Sequence, residues 1–251
     1  MLISFLGTRG TVPTAKESTV SFLIDNQFLF DACTEVVQSF ERLLVHWRAL
    51  QNAGQVTNLI SRYGNPSISR IEHIFLTHLH WDHWGGVIHL LHRALMLDRE
   101  LREKKPIKIY VPKKSVDLLR LRLYINLGSE VGEIAEVIPL DHGETLRIGS
   151  YRITTALTQH HPLGSLAYQI EFIKTKLKVE KARELGIPFN SNLSEIDKGK
   201  KIAINGVTIS REDVFYDVIE SVGYTGDISR NMDLKTFFNK VNVLIVESTY
   251  L

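Results

Sequence analysis

The sequence predicts an α/β protein of the α+β kind, in which two β-sheets pack together and helices lie outside them. Predicted strands come in consecutive runs as well as in alternation with helices, which favours two sheets over a doubly wound parallel sheet. The chain has 251 residues, of which 44% are hydrophobic, and this is enough to bury one full core. We therefore predict a single domain, residues 1–251, with one excursion.

Three short apolar runs open the sequence and predict consecutive strands of one sheet. They read LISFL, VSFLI and QFLFDA, and glycine, proline and an Asp-Asn pair separate them. In residues 34–50 the apolar side chains recur at helical spacing, which predicts a helix. The strand IEHIFLT then leads into a histidine-rich turn, and we expect the next helix from residue 86 to about residue 103.

The second half of the chain predicts a further sheet and the excursion. IKIYV is a strand followed by a helix from about Ser115, GETLRIGSYRITTAL alternates as a hairpin does, and LAYQIEFI extends the sheet. Residues 174–213 form a lysine-rich stretch of about forty residues, and an excursion of that length inside a compact domain is usually functional. A helix near residues 234–238 and the strand VNVLIVES complete the prediction.

Two basic tracts stand out, although the formal net charge is only +2. Residues 99–122 carry nine Lys and Arg against three Asp and Glu, and residues 174–201 carry eight against four. Such tracts are commonly solvated surface, and the alternative is a polyanionic partner such as nucleic acid. The single cysteine excludes an intramolecular disulfide, and the sequence shows neither a signal peptide nor a membrane span. We expect a cytoplasmic protein.

The stretch THLHWDHWGG, residues 77–86, carries the strongest chemical signal. His78 and His80 follow a predicted strand, and two residues apart in extended backbone they project to the same side. Asp82 and His83 are expected in the turn, before a glycine pair that lets the backbone bend tightly. Four potential ligands in six residues predict a metal site, and their spacing suits a pair of ions.

THLHWDH fits the signature His-x-His-x-Asp-His, and the chain resembles the metallo-β-lactamase fold superfamily. That resemblance implies a four-layer αβ/βα sandwich with a metal site at one edge of two packed sheets. The chain is similar to the ribonuclease Z branch, the endonucleases that trim the 3′ trailer from precursor tRNA. The similarity rests on FLGTRGTVP, on FLFDACTEVVQ, on GYTGDIS, and on VEKARELGIP with LSEIDKGKKIAINGVTISREDV, which resembles that family's tRNA-gripping arm.

The resemblance implies two zinc ions and a role for each residue of the motif. His78 and His80 would bind the first ion, Asp82 and His83 the second, and Asp227 of YTGD would bridge the two. A zinc pair lowers the pKa of a bound water towards about 7 and neutralises charge on a phosphoryl oxygen. Asp82 is also the expected catalytic residue, because the family role of this aspartate is to orient or deprotonate that water.

A third histidine ligand is expected in TQHHPLGSLAYQIE. This stretch offers His160 and His161 as adjacent candidates. Aligning the Ala-Tyr pair at residues 167–168 with the family's Gly-Tyr pair selects His161, seven residues before the tyrosine. His160 is then expected to be an exposed residue or to support the ligands.

The resemblance also implies a precursor tRNA or other RNA substrate and a homodimer. Lys174, Lys176, Lys178 and Lys181 of the excursion are expected to contact phosphates without reading bases. The excursion reads GIPFNS where the family typically has a Gly-Pro repeat. After VESTYL, a histidine-bearing segment and the family's last ligand of the second ion have no counterpart. We therefore expect either that the C-terminal part of the family domain is absent from this chain, or that the second ion site is incomplete and a water or another chain fills it.

Three functions stay open from the sequence. The leading one is a dinuclear-zinc endoribonuclease that processes the 3′ end of tRNA. The second is a hydrolase of the same fold acting on a small phosphodiester or ester, which Trp81 and Trp84 favour if they narrow the pocket mouth. The third is a metal-binding or nucleic-acid-binding module of little activity. Cleavage of precursor tRNA, or turnover of a small ester alone, separates them.

Overall fold

The first of two β-sheets has six strands. The computed structural model describes residues 1–96, 105–187, 191–204, 206–228 and 235–246. The strands of this sheet are β1 (Ile3–Gly7), β2 (Ser21–Ile24), β3 (Phe28–Phe30), β4 (His73–Phe75), β5 (Ile107–Pro112) and β6 (Ala135–Leu140). They lie side by side in chain order, with β1 to β3 antiparallel and β3 to β6 parallel. The strand predicted from IEHIFLT is β4.

The second sheet is built around two long strands. Its members are β7 (Thr145–Ile148), β8 (Tyr151–Leu157), β9 (Leu166–Leu177), β12 (Phe215–Tyr224) and β13 (Val243–Ile245), in the order β13-β12-β9-β8-β7. β9 and β12 pair antiparallel along the whole length of β12. The predicted hairpin over GETLRIGSYRITTAL is confirmed as β7 and β8. A separate hairpin joins β10 (Ile202–Ile204) to β11 (Val207–Ile209).

Helices occupy the connections between the strands. The described helices are α1 (Val36–Asn52), α2 (Thr57–Tyr63), α3 (Trp81–Met96), α4 (Val116–Leu127), α5 (Val131–Ile134), α6 (Val179–Glu184), α7 (Ser191–Asp197) and α8 (Arg211–Val214). α1 and α4 confirm the helices predicted from residue 34 and from Ser115. No described helix is both long and apolar enough to span a membrane.

The strands of the first sheet divide their side chains between two hydrophobic clusters, because successive side chains point to opposite faces. On β2, Leu23 packs with residues of α1, α3 and α4, whereas Phe22 and Ile24 face the second sheet. Between the sheets the ring of Tyr168 lies 5.6 Å from the ring of Phe75, edge to face. The predicted α/β sandwich is therefore confirmed, and the described residues supply three of its four layers: helices, first sheet and second sheet.

The described residues of 174–187, 191–204 and 206–213 leave the sandwich together with the ends of β9 and β12. The helices α6 to α8 and the β10–β11 hairpin pack around a small hydrophobic cluster of their own. Its fully buried members are Ala182, Ile196 and Val214. The excursion therefore has its own core at the far end of the β9–β12 ribbon.

Two predicted helices differ from the structure. The helix expected from residue 86 begins five residues earlier, at Trp81, so Asp82 and His83 lie in its first turn and not in the preceding loop. A carboxylate in the first turn interacts favourably with the helix dipole, which stabilises this earlier start. The helix expected near residues 234–238 is not formed by its described part, which consists of turns from residue 235. Residues 97–104 and 234 lie outside the described part.

Candidate metal centre

The histidine-rich motif lies where β4 leaves the first sheet. Residues 76–80 connect β4 to α3. The start of α3 is held against the loop after β3 by two backbone hydrogen bonds. Ala32 N donates to His83 O at 2.6 Å, and Gly86 N donates to Ala32 O at 3.0 Å. A Cβ on Gly86 would lie 2.0 Å from the Cys33 carbonyl oxygen, so only glycine permits this approach. The glycine of the motif thus fixes α3 and its side chains in place.

A loop of the second sheet brings His160 to the same edge. This loop joins β8 to β9, and Gln159 adopts a left-handed backbone conformation, φ 51°, just before the histidine. The Ser165 hydroxyl oxygen accepts hydrogen bonds from the backbone N–H of His160 at 2.8 Å and of His161 at 3.3 Å. Thr158 Oγ1 donates to the same oxygen at 2.7 Å. A hydrogen-bonded turn therefore sets which histidine faces the first sheet.

Four side chains converge into what we call the first ligand group: His78, His80, His160 and Asp227. One potential ligand atom from each lies within 4.8 Å of all the others. His78 Nε2 is 2.9 Å from His80 Nδ1, and His160 Nε2 is 3.1 Å from Asp227 Oδ2. Zinc bonds of about 2.0–2.2 Å in a tetrahedron place neighbouring ligand atoms roughly 3.3–3.6 Å apart. The two separations given above are a few tenths of an ångström shorter than this, so small side-chain rotations would let three imidazoles and a carboxylate hold a zinc ion.

A second ligand group adjoins the first and consists of Asp82, His83 and the same Asp227. His83 Nε2 lies 3.3 Å from Asp227 Oδ1 and 3.6 Å from Asp82 Oδ2. Asp227 therefore turns Oδ2 towards the first group and Oδ1 towards the second. A carboxylate placed in this way could bind one ion through each oxygen.

The buried carboxylate of Asp31 orients both groups. Its Oδ2 accepts hydrogen bonds from Thr77 Oγ1 at 2.8 Å and Tyr224 OH at 2.6 Å, and Thr77 N donates to Oδ1 at 2.7 Å. His83 Nδ1 lies 2.7 Å from Oδ2, and His78 Nδ1 lies 3.0 Å from Thr77 Oγ1. Because Thr77 already donates to Asp31, its oxygen accepts from His78. Both rings thus carry a proton on Nδ1 and present Nε2 to the ligand groups. Metal-binding histidines commonly donate their other N–H in this way to a hydroxyl or carboxylate oxygen.

The electrostatics differ between the two groups. Burial, reinforced by the charge of His83, lowers the pKa of His78 to about 2, which keeps that ring neutral and able to bind a metal. Burial opposes a charge on His83, but the carboxylates of Asp31 and Asp227 raise its pKa well above the ordinary value. Burial also raises the pKa of Asp82. A cation in the second group must therefore displace a proton from His83.

The structure brings His160 into the first ligand group, whereas the sequence alignment favoured His161 as the third histidine ligand. His161 Nδ1 accepts a hydrogen bond from Leu163 N at 3.2 Å, and the neutral ring then carries its proton on Nε2, the atom that a ligand would present. Its ring centre still lies 4.8 Å from that of His80. The left-handed turn at Gln159 is the physical reason for the difference, since it rotates His160 towards the first ligand group.

The lysines predicted to bind nucleic acid lie far from this centre. Lys174, Lys176, Lys178 and Lys181 are exposed on the outer part of β9 and on α6. At about 3.3 Å per residue, Lys174 is roughly 26 Å along β9 from Leu166, which lies beside the centre. Lys178 Nζ donates to Glu212 O at 2.7 Å, and Lys181 pairs with Glu184 at 2.9 Å.

Sequence reasoning missed the supporting residues. FLFDACTEVVQ contains Asp31 but the resemblance gives this residue no role, and the sequence predicts none for Thr77 or Tyr224. A signal for Asp31 exists in the sequence, since it follows the apolar run of β3 directly, where a charged residue enters the core. Its partner Thr77 is 46 positions away and meets it only because β3 and β4 pair in parallel.

Known proteins resemble this chain in both sequence and fold. A family model described as a beta-lactamase superfamily domain matches residues 26–182, more than half of the chain. Ribonuclease Z of Methanococcus maripaludis is 29% identical over 265 residues, which cover 100% of this chain and 76% of that protein. Ribonuclease Z of Thermococcus sibiricus is 31% identical over 253 residues, which cover 99% of this chain and 74% of that protein.

A solved structure shares the fold at lower identity. The short form of human tRNase Z superposes with a TM-score of 0.53 and 14% identity, covering 96% of this chain and 76% of that one. The chain spans about three quarters of the length of the curated relatives it matches. On these similarities, the chain belongs to the ribonuclease Z family of the β-lactamase superfamily, as its motifs predicted.

Proposed function

We propose that this protein is a tRNA 3′-processing endoribonuclease that hydrolyses a phosphodiester bond with a pair of zinc ions. The observation that carries the proposal is the meeting of two ligand groups at Asp227, which has one oxygen towards each. Membership of the ribonuclease Z family supports the choice of RNA as substrate. The relatives are themselves named ribonuclease Z. Two adjoining ligand groups that can hold a pair of ions suit the hydrolysis of a phosphodiester.

The two ligand groups have separate tasks. The first ligand group would hold one ion through three imidazoles, with His160 as its third histidine, and the second would hold the other through Asp82 and His83. When bound, a zinc pair supplies a water of lowered pKa and offsets negative charge on the phosphoryl group. Asp31 keeps the Nε2 atoms of His78 and His83 free for ligation.

Asp82 is the proposed proton acceptor for the attacking water. Its carboxylate belongs to the second ligand group and lies 3.6 Å from His83 Nε2, at the start of α3. Burial raises the pKa of Asp82, and a carboxylate with a higher pKa accepts a proton more readily. When a metal-bound water is present, the Asp82 carboxylate would orient it and accept its proton.

The exposed lysines of the excursion are proposed contacts for RNA phosphates. Lys174 and Lys176 are two residues apart on β9. Because successive side chains of a strand point to opposite faces, these two project from the same side of the ribbon. Their separation of tens of ångströms from the ligand groups suits a long substrate that touches both places. We also propose that the protein is cytoplasmic and forms a homodimer. Light scattering after size exclusion tests the homodimer, for which we expect a mass of twice 28.6 kDa.

Two substrates and one variant test the function. Zinc-loaded protein is incubated with a precursor tRNA that carries a 3′ trailer and with bis-p-nitrophenyl phosphate. We expect cleavage at the 3′ end of the mature tRNA, a loss of at least about 100-fold in Asp82→Ala, and two zinc ions per chain by elemental analysis. Asp117→Ala is the matched control, because Asp117 also occupies the second position of a helix, α4, and is exposed.

Each other outcome points to a different function. Turnover of the small ester without RNA cleavage would establish the small-phosphodiester hydrolase that the sequence left open. Binding of RNA without turnover of either substrate would identify a nucleic-acid-binding module. Equal activity of Asp82→Ala and the Asp117→Ala control would remove Asp82 from the mechanism.

A further inference from the structure

A cavity of about 340 Å³ opens beside the histidine-rich turn. Its lining consists of Leu79, Trp81, Trp84, Arg122 and Asn126. Leu79 and Trp81 flank His80 of the first ligand group in sequence, so the turn that carries His80 also forms one wall of the cavity. Its volume is at the small end of the range of about 300–1,000 Å³ for small-molecule sites, which suits one nucleotide unit and excludes a folded helix.

Trp81 supplies an exposed aromatic surface to this cavity. Its side chain is 55% exposed although Trp is ordinarily among the well-buried residues. The indole rests on the backbone of α3 at Gly85, where an added Cβ would lie 2.8 Å from the indole Cε2. It meets Trp84 edge to face at 5.2 Å between ring centres. Trp81 is therefore held in position by its neighbours while a large part of it faces solvent.

Arg122 supplies a fixed positive charge on the opposite side. The guanidinium carbon lies 4.8 Å from the Trp84 ring centre, and Nη1 donates to Leu79 O at 3.4 Å. A guanidinium carries five N–H donors, so these contacts orient the group and leave donors for an anion. Trp84 itself is 2% exposed, and its indole Nε1–H has no acceptor within the described residues. A buried donor without an acceptor is rare in a finished site.

We propose that this cavity binds the nucleotide next to the scissile phosphodiester. The base stacks on Trp81, and the adjoining phosphate accepts hydrogen bonds from Arg122. The inference rests on the proposed function and adds a subsite to it. Stacking on an aromatic ring holds any base, because every base has a π face, and Arg binds phosphate without reading sequence. The subsite would position single-stranded RNA for cleavage while tolerating different flanking bases.

The test combines protein variants with RNA that lacks one base. Precursor RNAs are prepared with an abasic nucleotide at each of the two positions on either side of the cleavage site. For the wild type we expect one of these positions to lower kcat/KM by about 5- to 150-fold, the range that base stacking accounts for. Trp81→Leu keeps apolar volume against Gly85 but removes the aromatic face, so the same abasic change should alter its kcat/KM by less than about 2-fold.

Two further variants control this result. Trp81→Phe retains an aromatic face and should keep most of the abasic penalty. Tyr124→Ala removes another exposed aromatic side chain, on α4 but outside the cavity lining, and should keep the whole penalty. Arg122→Gln should make the slope of log kcat/KM against log salt concentration shallower by about 0.7, the value for one lost contact with a single-stranded phosphate.

The outcomes separate the inference from the function on which it rests. A wild type that cleaves no RNA overturns the proposed function. Cleavage with equal abasic penalties in the wild type and Trp81→Leu at all four positions overturns the subsite and leaves the function standing. Zinc content and thermal unfolding of every variant confirm that only the cavity has changed.

Discussion

The buried carboxylate of Asp31 is predicted to couple the stability of the fold to its metal affinity. Asp31 is fully buried and accepts hydrogen bonds from Thr77 N, Thr77 Oγ1 and Tyr224 OH, with His83 Nδ1 as the fourth partner. Asp31→Asn preserves the shape but replaces one acceptor oxygen by an NH₂ group. The three donors at Oδ2 keep the amide oxygen there, so the NH₂ group faces the Thr77 N–H.

The expected loss of stability in Asp31→Asn follows from its four hydrogen-bond partners. One hydrogen bond is lost to a donor–donor contact, and three others lose a charged acceptor. A hydrogen bond to a buried charged group contributes about 1.5–3 kcal/mol, so we expect the free energy of unfolding to fall by about 2–4 kcal/mol. Since the neutral amide orients His83 less strongly, we also expect zinc affinity to fall by about 10- to 100-fold.

The assay measures both quantities on the same variants. Urea unfolding of the zinc-free protein gives the free energy, and competition with a chromophoric chelator gives the zinc affinity. Asp25→Asn is the matched control: Asp25 is buried, has a similar left-handed backbone with φ 49°, and bonds to Tyr151 OH and Leu2 N away from the ligand groups. The control should destabilise without changing zinc affinity. An unchanged affinity in Asp31→Asn, or an equal loss in both variants, would refute the reasoning.

Three other predictions follow from single features. His160→Ala should lower zinc affinity by at least about 100-fold, with a loss of a few-fold at most in His161→Ala; elemental analysis with chelator competition checks this, and the reverse order would restore the sequence-based choice. Gly86→Ala should destabilise by about 1–3 kcal/mol in urea unfolding, because its Cβ meets the Cys33 carbonyl, whereas Gly132→Ala, with open space around it, should not. Lys174→Ser with Lys176→Ser should weaken precursor RNA binding and flatten its salt dependence by about 1–2, leaving turnover of the small ester unchanged.

Much of the fold was predictable because its signals are local. β2 is an example, since four consecutive residues are enough to place Leu23 under the helices and Phe22 between the sheets. The start of α3 was not predictable in this way, because the glycine pair indicates a turn when it is considered alone. In the structure Gly86 serves a close approach to Cys33 O, a partner 53 positions away in the chain. A distant contact thus overrides the local tendency.

The candidate site was also predictable only where its residues lie close together in the sequence. His78, His80, Asp82 and His83 were predictable because a strand and its following turn hold them within six residues. The choice between His160 and His161 was not, since it depends on the backbone turn at residue 159 and on the Ser165 hydroxyl. Spacing from Tyr168 counts residues, whereas the direction of a side chain depends on φ and ψ.

The ligand groups also join the two sheets, and this links the site to the packing of the whole sandwich. His78 and His83 are fixed to the first sheet through Asp31, whereas His160 and Asp227 follow strands of the second sheet. Tyr224 crosses between the sheets, because it ends β12 and donates to Asp31. A shift of the sheets of about 1 Å would therefore move ligand atoms of one group apart by a similar distance, and coordination tolerates only about 0.2 Å. Aromatic packing between the sheets, such as that of Phe75 against Tyr168, fixes how the sheets sit on each other. We therefore expect Phe75→Leu, which changes no ligand, to lower zinc affinity in the chelator competition.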